Sequence, residues 1–266
     1  MFGKLMKAEW RSSRRVIGAL CAVVLISGVL LGGLGNLLVR ESMGNWQVPD
    51  FVGVLFSLLA FMAVLAVALS LGASVFYVLW RYYRSRFTEE GYLTFTLPVS
   101  NHQLMLSSIL ASVLEVLLVA LATVAAVAMA FGIFAAGLPW GEVDGYFWLR
   151  LRDGFGEIFA SFRPVAGDMA LLLLNAVVMW LTILLTLMLA VTIGGTVAKK
   201  HPILVAIAVY YGLSLVRMIA YFNAAEACAY LSDRATFVVL AGVNVVTSLI
   251  AYFGMYFLTS RKLNLN

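Results

Sequence analysis

Charged residues are scarce in this chain. Of its 266 residues, 12% are Asp, Glu, Lys or Arg and 63% are hydrophobic, and the mean hydropathy is +1.00. A chain of this composition cannot bury its apolar surface in a water-soluble fold. The composition therefore excludes a soluble globular protein and predicts an integral membrane protein.

Histidine is rare as well, and this limits the chemistry open to the chain. Only His102 and His201 occur, both in polar segments between apolar runs. No His-rich metal site can therefore form within the membrane, and no Ser-His protease can be assembled there. The loop Gly-x-x-x-x-Gly-Lys-Ser/Thr, which cradles nucleotide phosphates, is missing too. We expect no cofactor, no metal and no ATP hydrolysis by this chain alone.

What the sequence does contain is six apolar runs of about 20 residues or more, the length that spans a bilayer. They cover residues of about 16 to 39, 51 to 80, 104 to 136, 169 to 198, 203 to 222 and 236 to 260. The strict alternation of a barrel strand is absent from them. Lipid then leaves only the helix to satisfy the backbone, so the fold class is all-α with six transmembrane helices.

The distribution of cations predicts the orientation of these spans. With both termini in the cytosol, the inner segments carry twelve cations, namely Lys4, Lys7, Arg11, Arg14, Arg15, Arg81, Arg84, Arg86, Lys199, Lys200, Arg261 and Lys262. The outer segments carry five, namely Arg40, Arg150, Arg152, Arg163 and Arg234. This excess follows the positive-inside rule, so the net charge of +5 reflects topology and no nucleic-acid partner is expected. The first run is too long for a cleavable signal peptide.

Residues 1 to 15 form a predicted amphipathic helix ahead of the six-helix domain, residues 16 to 266. Its cations lie opposite Phe2, Leu5 and Met6 on a helical wheel, which is typical of a helix lying on the inner leaflet and attracted by anionic lipid. Glu9 breaks the pattern because it falls on the apolar side. Glu9 is either a carboxylate at the lipid edge or a brace that pairs with an Arg of residues 81 to 86.

The outer segment of residues 137 to 168 contains a second amphipathic stretch. Large apolar residues recur at helical spacing, at Phe147, Leu151, Phe155, Ile158 and Phe162. Gly154 and Gly156 weaken a helix there, so we expect one that is short, broken or supported by lipid. The segment is either an interfacial lid without chemistry or a gate that faces the substrate.

Two ionisable residues lie within the predicted spans. Counting from the start of the third span places Glu115 roughly 13 Å deep, near the middle of a hydrocarbon core of about 30 Å. It is either a hydrogen-bonded structural residue between helices or part of a translocation path. Arg217 lies late in the fifth span. It either snorkels to the outer surface or, like Glu115, is a polar residue of the pathway or between helices. In the first span, Gly28 and Gly32 form a Gly-x-x-x-Gly that permits close approach of another helix.

The cytosolic segment of residues 81 to 103 has the most distinctive pattern. The second helix is predicted to continue about seven residues past Trp80 and to stop before Gly91. Ser100 with Gln103 makes a capping box for the third helix. Large apolar residues are unusual in a solvated loop and predict a protein partner or a tightly packed elbow. They are Tyr82, Tyr83, Phe87, Tyr92, Leu93, Phe95 and Leu97.

The sequence Glu-Gly-Tyr-Leu-Thr-Phe-Thr-Leu-Pro-Val-Ser, from Glu90 to Ser100, followed by Gln103-Leu104 and Ser107, resembles the signature of bacterial type-2 ABC exporter permeases of six spans, a branch from Gram-positive organisms. Supporting matches are Lys4 to Glu9, Gly194-Gly195 ahead of Lys199-Lys200-His201, and the tail Lys262 to Leu265. Ser108 is a departure, because such permeases often carry Lys there.

The resemblance implies a subunit of the bacterial cytoplasmic membrane that pairs with a second permease subunit. It also implies that the segment between the second and third spans docks into a separate ATPase subunit. This segment has the only predicted cytosolic helix with a tight stop, so we expect the ATPase contact at Tyr82, Tyr83, Arg84, Phe87, Glu89, Glu90 and Gly91.

Two other functions stay open. Inverted repeats or paired intramembrane charges would favour an ATP-independent transporter or channel. An embedded nucleophile with its base would favour an intramembrane enzyme. Spans rich in aromatic residues and Met suit hydrophobic or amphipathic cargo, although that composition suits any helix bundle.

Overall fold

The computed structural model describes residues 2–42, 49–88, 100–137, 145–198, 200–228, 230 and 232–262. Six helices account for nearly all of them, and these ranges contain no strand. The helices are α1 (Phe2–Ser42), α2 (Asp50–Phe87), α3 (Asn101–Ala136), α4 (Gly145–Val197), α5 (Pro202–Ala227) and α6 (Asp233–Lys262). Each is long and apolar enough to cross a membrane. The prediction of an all-α membrane protein with six spans is confirmed.

The first helix begins earlier than predicted for the first span. It is a single helix of 41 residues, about 60 Å at 1.5 Å per residue, which is twice the hydrocarbon thickness. The amphipathic residues 2–15 are therefore the first part of α1 and not a separate element. No proline occurs near Arg15, and the nearest glycine, Gly18, costs only about 1 kcal/mol relative to alanine, too little to end the helix.

The fourth helix also corrects an expectation. It runs for 53 residues without interruption, so residues 145–168 of the outer segment and the fourth span form one element. Of the alternatives for this stretch, a short helix and a break at Gly154 and Gly156 are excluded. Each glycine costs about 1 kcal/mol relative to alanine, too little to stop a helix that propagates cooperatively on both sides.

Two local predictions around the cytosolic segment are confirmed. Helix α2 ends at Phe87, seven residues past Trp80, and α3 begins at Asn101 directly after the predicted cap. The backbone N–H of Gln103 donates to Oγ of Ser100 over 3.3 Å, half of a capping box. The predicted contact residues Glu89, Glu90 and Gly91, and the extended piece after them, lie outside the described residues.

The chain divides into two compact units. The first comprises Met1–Val78 and Ser107–Trp148, and the second comprises Leu79–Leu106 and Leu149–Asn266. In the first unit Ile17 and Val24 of α1 are buried against Val119 and Ala126 of α3. In the second unit the end of α2 and the start of α3 are joined to α4 and α6 by the contacts described below.

Helices α1 and α3 run parallel along a seam of small residues. A methyl group added at Gly28 would lie 2.6 Å from the carbonyl oxygen of Ala126, and one at Gly32 would lie 2.7 Å from that of Ala130. At the end of the seam, Asn36 donates to the carbonyl oxygen of Ile133 over 2.8 Å. Such close approach maximises dispersion contacts where no hydrophobic effect drives association. The predicted role of the Gly-x-x-x-Gly is thereby supported.

Candidate functional site

The elbow, defined as residues 81–88 at the end of α2 and 100–106 at the start of α3, belongs wholly to the second unit. Its centre is Tyr82, whose exposed fraction is 2%. The Tyr82 hydroxyl lies 3.0 Å from Oγ1 of Thr192 on α4 and 3.8 Å from Sδ of Met255 on α6. Tyr82 therefore ties the end of α2 to two other helices and is not an exposed docking residue.

Arg86 fastens the elbow from the other side. Its Nη2 donates to the carbonyl oxygen of Leu104 over 2.8 Å, and its guanidinium carbon lies 5.0 Å from the centre of the Tyr82 ring. The side chain is 3% exposed. A buried guanidinium that donates to a carbonyl and covers an aromatic face joins the end of α2 to the start of α3.

Aromatic stacking organises the remaining face of the elbow. The rings of Tyr83 and Phe87 stack with centroids 5.9 Å apart. A methyl group added at Gly195 would lie 2.7 Å from the Phe87 ring. The ring can therefore pack against α4 because residue 195 has no side chain. Phe87 and Tyr83 are half-buried, whereas Arg84 is exposed. Of the described residues in the predicted contact, Arg84 is thus the one most accessible to a partner.

His102 adds a contact between α3 and α6. Its ring stacks on Tyr256 with centroids 3.9 Å apart, and its Nδ1 lies 3.1 Å from the Tyr252 hydroxyl. The elbow is accordingly linked to α3, α4 and α6 of its own unit. The sequence predicted that the large apolar residues here either contact a protein partner or pack tightly within the elbow. Tyr82 packs within the elbow, and the contact with a partner stays a prediction.

In the first unit, polar side chains form a clasp, defined as Glu9 and Ser13 of α1 with Ser108 and Glu115 of α3. Ser13 donates to Oε1 of Glu115 over 2.6 Å, and Ser108 donates to Oε1 of Glu9 over 2.9 Å. Glu115 and Ser13 are fully buried. Glu9, on the apolar side of its helix, and Glu115, for which an interhelical role was one of two alternatives, lie in one cluster. The predicted pairing of Glu9 with an Arg of residues 81–86 stays a prediction.

The clasp lies beside a basic stretch of α1. Ser13, the partner of Glu115, lies between Arg11 and the pair Arg14 and Arg15, and all three cations are exposed. Glu115 is therefore level with this basic stretch. The predicted depth of Glu115 in the hydrocarbon core stays a prediction.

Replacing Glu115 by glutamine is expected to leave the clasp intact, because the amide oxygen still accepts the hydrogen bond from Ser13. Replacement by leucine should cost about 1–3 kcal/mol of stability, since it leaves a buried hydroxyl without this acceptor. Denaturant titration of the purified protein in micelles measures the difference. If glutamine gives a folded protein that cannot transport in reconstituted vesicles, the carboxylate is functional and the structural role is refuted.

A second buried polar cluster was not identified from the sequence. This polar layer consists of Asn175 and Thr182 of α4 with Asn244 and Ser248 of α6. Oγ1 of Thr182 lies 2.8 Å from the Ser248 hydroxyl and 3.1 Å from the carbonyl oxygen of Asn244. Asn244 donates to Oδ1 of Asn175 over 3.4 Å. The two amides isolated within apolar runs were the available signal, because such groups need partners away from water.

Arg217 of α5 belongs to the second unit as well. Its Nη1 atom is enclosed by protein and has no hydrogen-bond partner among the residues that the structure describes. Free snorkelling to water, as the sequence analysis allowed, does not account for an enclosed nitrogen. Within the same described ranges, no three His, Cys, Asp or Glu side chains are grouped as metal ligands.

Comparison with protein-family models, with curated proteins and with solved structures found no match, so the chain's function must be inferred from the six-span fold and the contacts described above.

Proposed function

We propose that this chain is the transmembrane permease subunit of an ABC exporter in the bacterial cytoplasmic membrane. A separate ATPase subunit drives it, and a second permease subunit completes the pathway. The six-span helical fold is of the transporter type, and the segment from Glu90 to Ser100 resembles the signature of such permeases. The chain itself has no phosphate-binding loop, so the energy source must be a partner.

The observation that carries the proposal is the construction of the elbow. A segment that couples to an ATPase must pass on a displacement and not absorb it. Tyr82 and Arg86 are buried and bonded to α3, α4 and α6, so a push on the end of α2 is transmitted to these helices. Arg84 beside them is exposed, as a residue that touches a partner must be.

The purified chain is expected to hydrolyse no ATP, whereas the complex isolated from its native membrane is expected to contain an ABC-type ATPase and to hydrolyse ATP. Arg84→Glu should weaken recovery of the ATPase, because reversal of an interfacial charge opposes docking. ATPase assays and mass spectrometry of affinity-purified samples measure both.

Arg14→Glu provides the matched control, since Arg14 is an exposed cation on α1 outside the elbow. Phe87→Ala is less suitable for testing the partner contact. The Phe87 ring packs on Gly195, so its loss would also perturb the fold of the second unit. Robust hydrolysis by the chain alone, with contaminants excluded, or equal ATPase recovery with Arg84→Glu, would contradict the proposal.

A further inference from the structure

The exposed side of α1 forms a basic cleft near the start of the helix. Its volume is about 520 Å³, large enough for a small ligand. The described residues that line it are Lys4, Lys7, Ala8, Arg11 and Ser12, and all five are exposed. They recur at intervals of three and four residues, so they share one face of the helix. A ligand can therefore reach the three cations directly.

The lining of the basic cleft suits an anion with several oxygen atoms. Three side chains carry positive charge, and the Ser12 hydroxyl is a further hydrogen-bond donor. The described part of the lining contains no carboxylate. Ala8 lies at the centre, one helical turn from Lys4 and from Ser12, and its methyl group leaves room between the cations. Guanidinium and ammonium groups around such a space match a phosphate.

Helix α1 turns the basic cleft away from α3. The opposite side of the same turns packs on α3, because Ser108 donates to Glu9 over 2.9 Å and Ser13 donates to Glu115 over 2.6 Å. Arg11 is two residues from both Glu9 and Ser13, which places it about 160° around the helix from each. The packing of α1 on α3 therefore leaves the cleft open.

The exposed side of α1 continues from the basic cleft into an apolar strip. Ala22, Ile26 and Val29 lie on the same side of the helix as the cleft and are exposed. No charged residue occurs between Arg15 and Arg40, so this part of α1 is suited to hydrocarbon. A molecule with a phosphate head and long apolar chains can contact the cleft and the strip at once. A bilayer phospholipid has this form, whereas a soluble phosphate or an acidic peptide does not.

We propose that the basic cleft binds the phosphate headgroup of an anionic phospholipid such as phosphatidylglycerol, whose acyl chains lie along the apolar strip. Arg11 pairs with the phosphate through two parallel hydrogen bonds, and the ammonium groups of Lys4 and Lys7 neutralise its charge. Attraction between basic residues and an anionic leaflet needs only charge. The open space at Ala8 adds a defined position for one lipid molecule.

The test is lipid binding to the purified chain in neutral detergent micelles, measured by native mass spectrometry. Phosphatidylglycerol should bind at least about tenfold more tightly than phosphatidylcholine with the same acyl chains, because the choline cation opposes the lysines. Comparable binding of the two lipids would overturn the anionic headgroup. Free glycerol phosphate at equal concentration should displace little phosphatidylglycerol, since it lacks the chains. Displacement as effective as that by the lipid would assign the cleft to a soluble phosphate and overturn the lipid site.

Two arginines of α1 provide a matched pair that tests the position of the site. Arg11→Gln should weaken phosphatidylglycerol binding about tenfold, whereas Arg14→Gln should change it by no more than about twofold. Arg14 lies one turn further along and outside the described lining of the cleft. Both side chains are exposed, so both variants should fold, which thermal unfolding checks. Equal weakening by the two variants would mean a general attraction of the basic helix to anionic lipid, and would refute the cleft.

Ala8→Leu separates the shape of the cleft from its charge. The change leaves every cation in place and fills the space at the centre of the cleft, so it should weaken phosphatidylglycerol binding at least about fivefold. Unchanged binding by a folded Ala8→Leu protein would show that charge alone holds the lipid, and would refute the cleft. Because no ATPase is present, the result does not depend on the exporter proposal, and failure of either leaves the other standing.

Discussion

Replacing Gly32 by alanine is expected to destabilise the protein by about 1–3 kcal/mol, the usual cost of forcing a methyl group into a packed contact. The new Cβ would lie 2.7 Å from the carbonyl oxygen and 2.9 Å from Cα of Ala130. These are backbone atoms and cannot rotate away, so α1 must separate from α3. Denaturant titration in micelles measures the loss.

Gly33 supplies the matched control, one position along the same helix. A Cβ at Gly33 meets no atom within 4 Å, so Gly33→Ala should be neutral or stabilising by up to about 1 kcal/mol through helix propensity. The two alanine variants should therefore differ in sign. Equal stability of both would show that the close approach of α1 and α3 contributes nothing.

Replacing Tyr82 by alanine should cost about 3–5 kcal/mol, as for other large buried aromatic residues. The change empties the centre of the elbow, removes the contacts to Thr192 and Met255, and uncovers the buried guanidinium of Arg86. Tyr82→Phe isolates the hydroxyl and should cost about 0.5–1.5 kcal/mol. Thermal unfolding of both variants in micelles measures the two losses of stability, and Tyr82→Ala should show the larger one.

Arg14→Ala is the control for this pair, since this exposed side chain lies outside the elbow and its loss should change stability by no more than about 0.5 kcal/mol. In the proposed exporter, Tyr82→Ala should also lower ATP-driven transport more than ATPase binding, because Tyr82 passes movement on and does not touch the partner. A folded Tyr82→Ala protein with normal stability would mean that the elbow is held elsewhere.

The spans and their ends were predictable where local physics decides them. Long apolar runs must be helical in lipid, and the periodic aromatic residues after Trp80 with the Ser100 cap located the end of α2 and the start of α3. Helix continuity was less predictable. The polar residues 2–15 and the two glycines near residue 155 lower local helix stability without stopping a helix, and cooperativity with adjoining apolar turns outweighs them.

The sites were predictable only as residue types. Glu115 stood out because a carboxylate needs a partner in an apolar run, yet nothing local identifies Ser13, 102 residues away. Tyr82 and Tyr83 look alike in sequence, and only the fold buries the first. The polar layer joins residues 62 to 69 positions apart, so the sequence alone does not indicate that they contact one another.

The parallel pair α1 and α3 has a mechanical consequence. It is pinned at one end by Glu9 with Ser108 and at the other by Asn36 with Ile133, 27 residues apart along α1, about 40 Å. Between these pins the glycine seam interlocks the two backbones. Sliding one helix along the other by a turn would break both pins together. Shear within this pair is thereby opposed, so we expect a conformational cycle to carry α1 and α3 together.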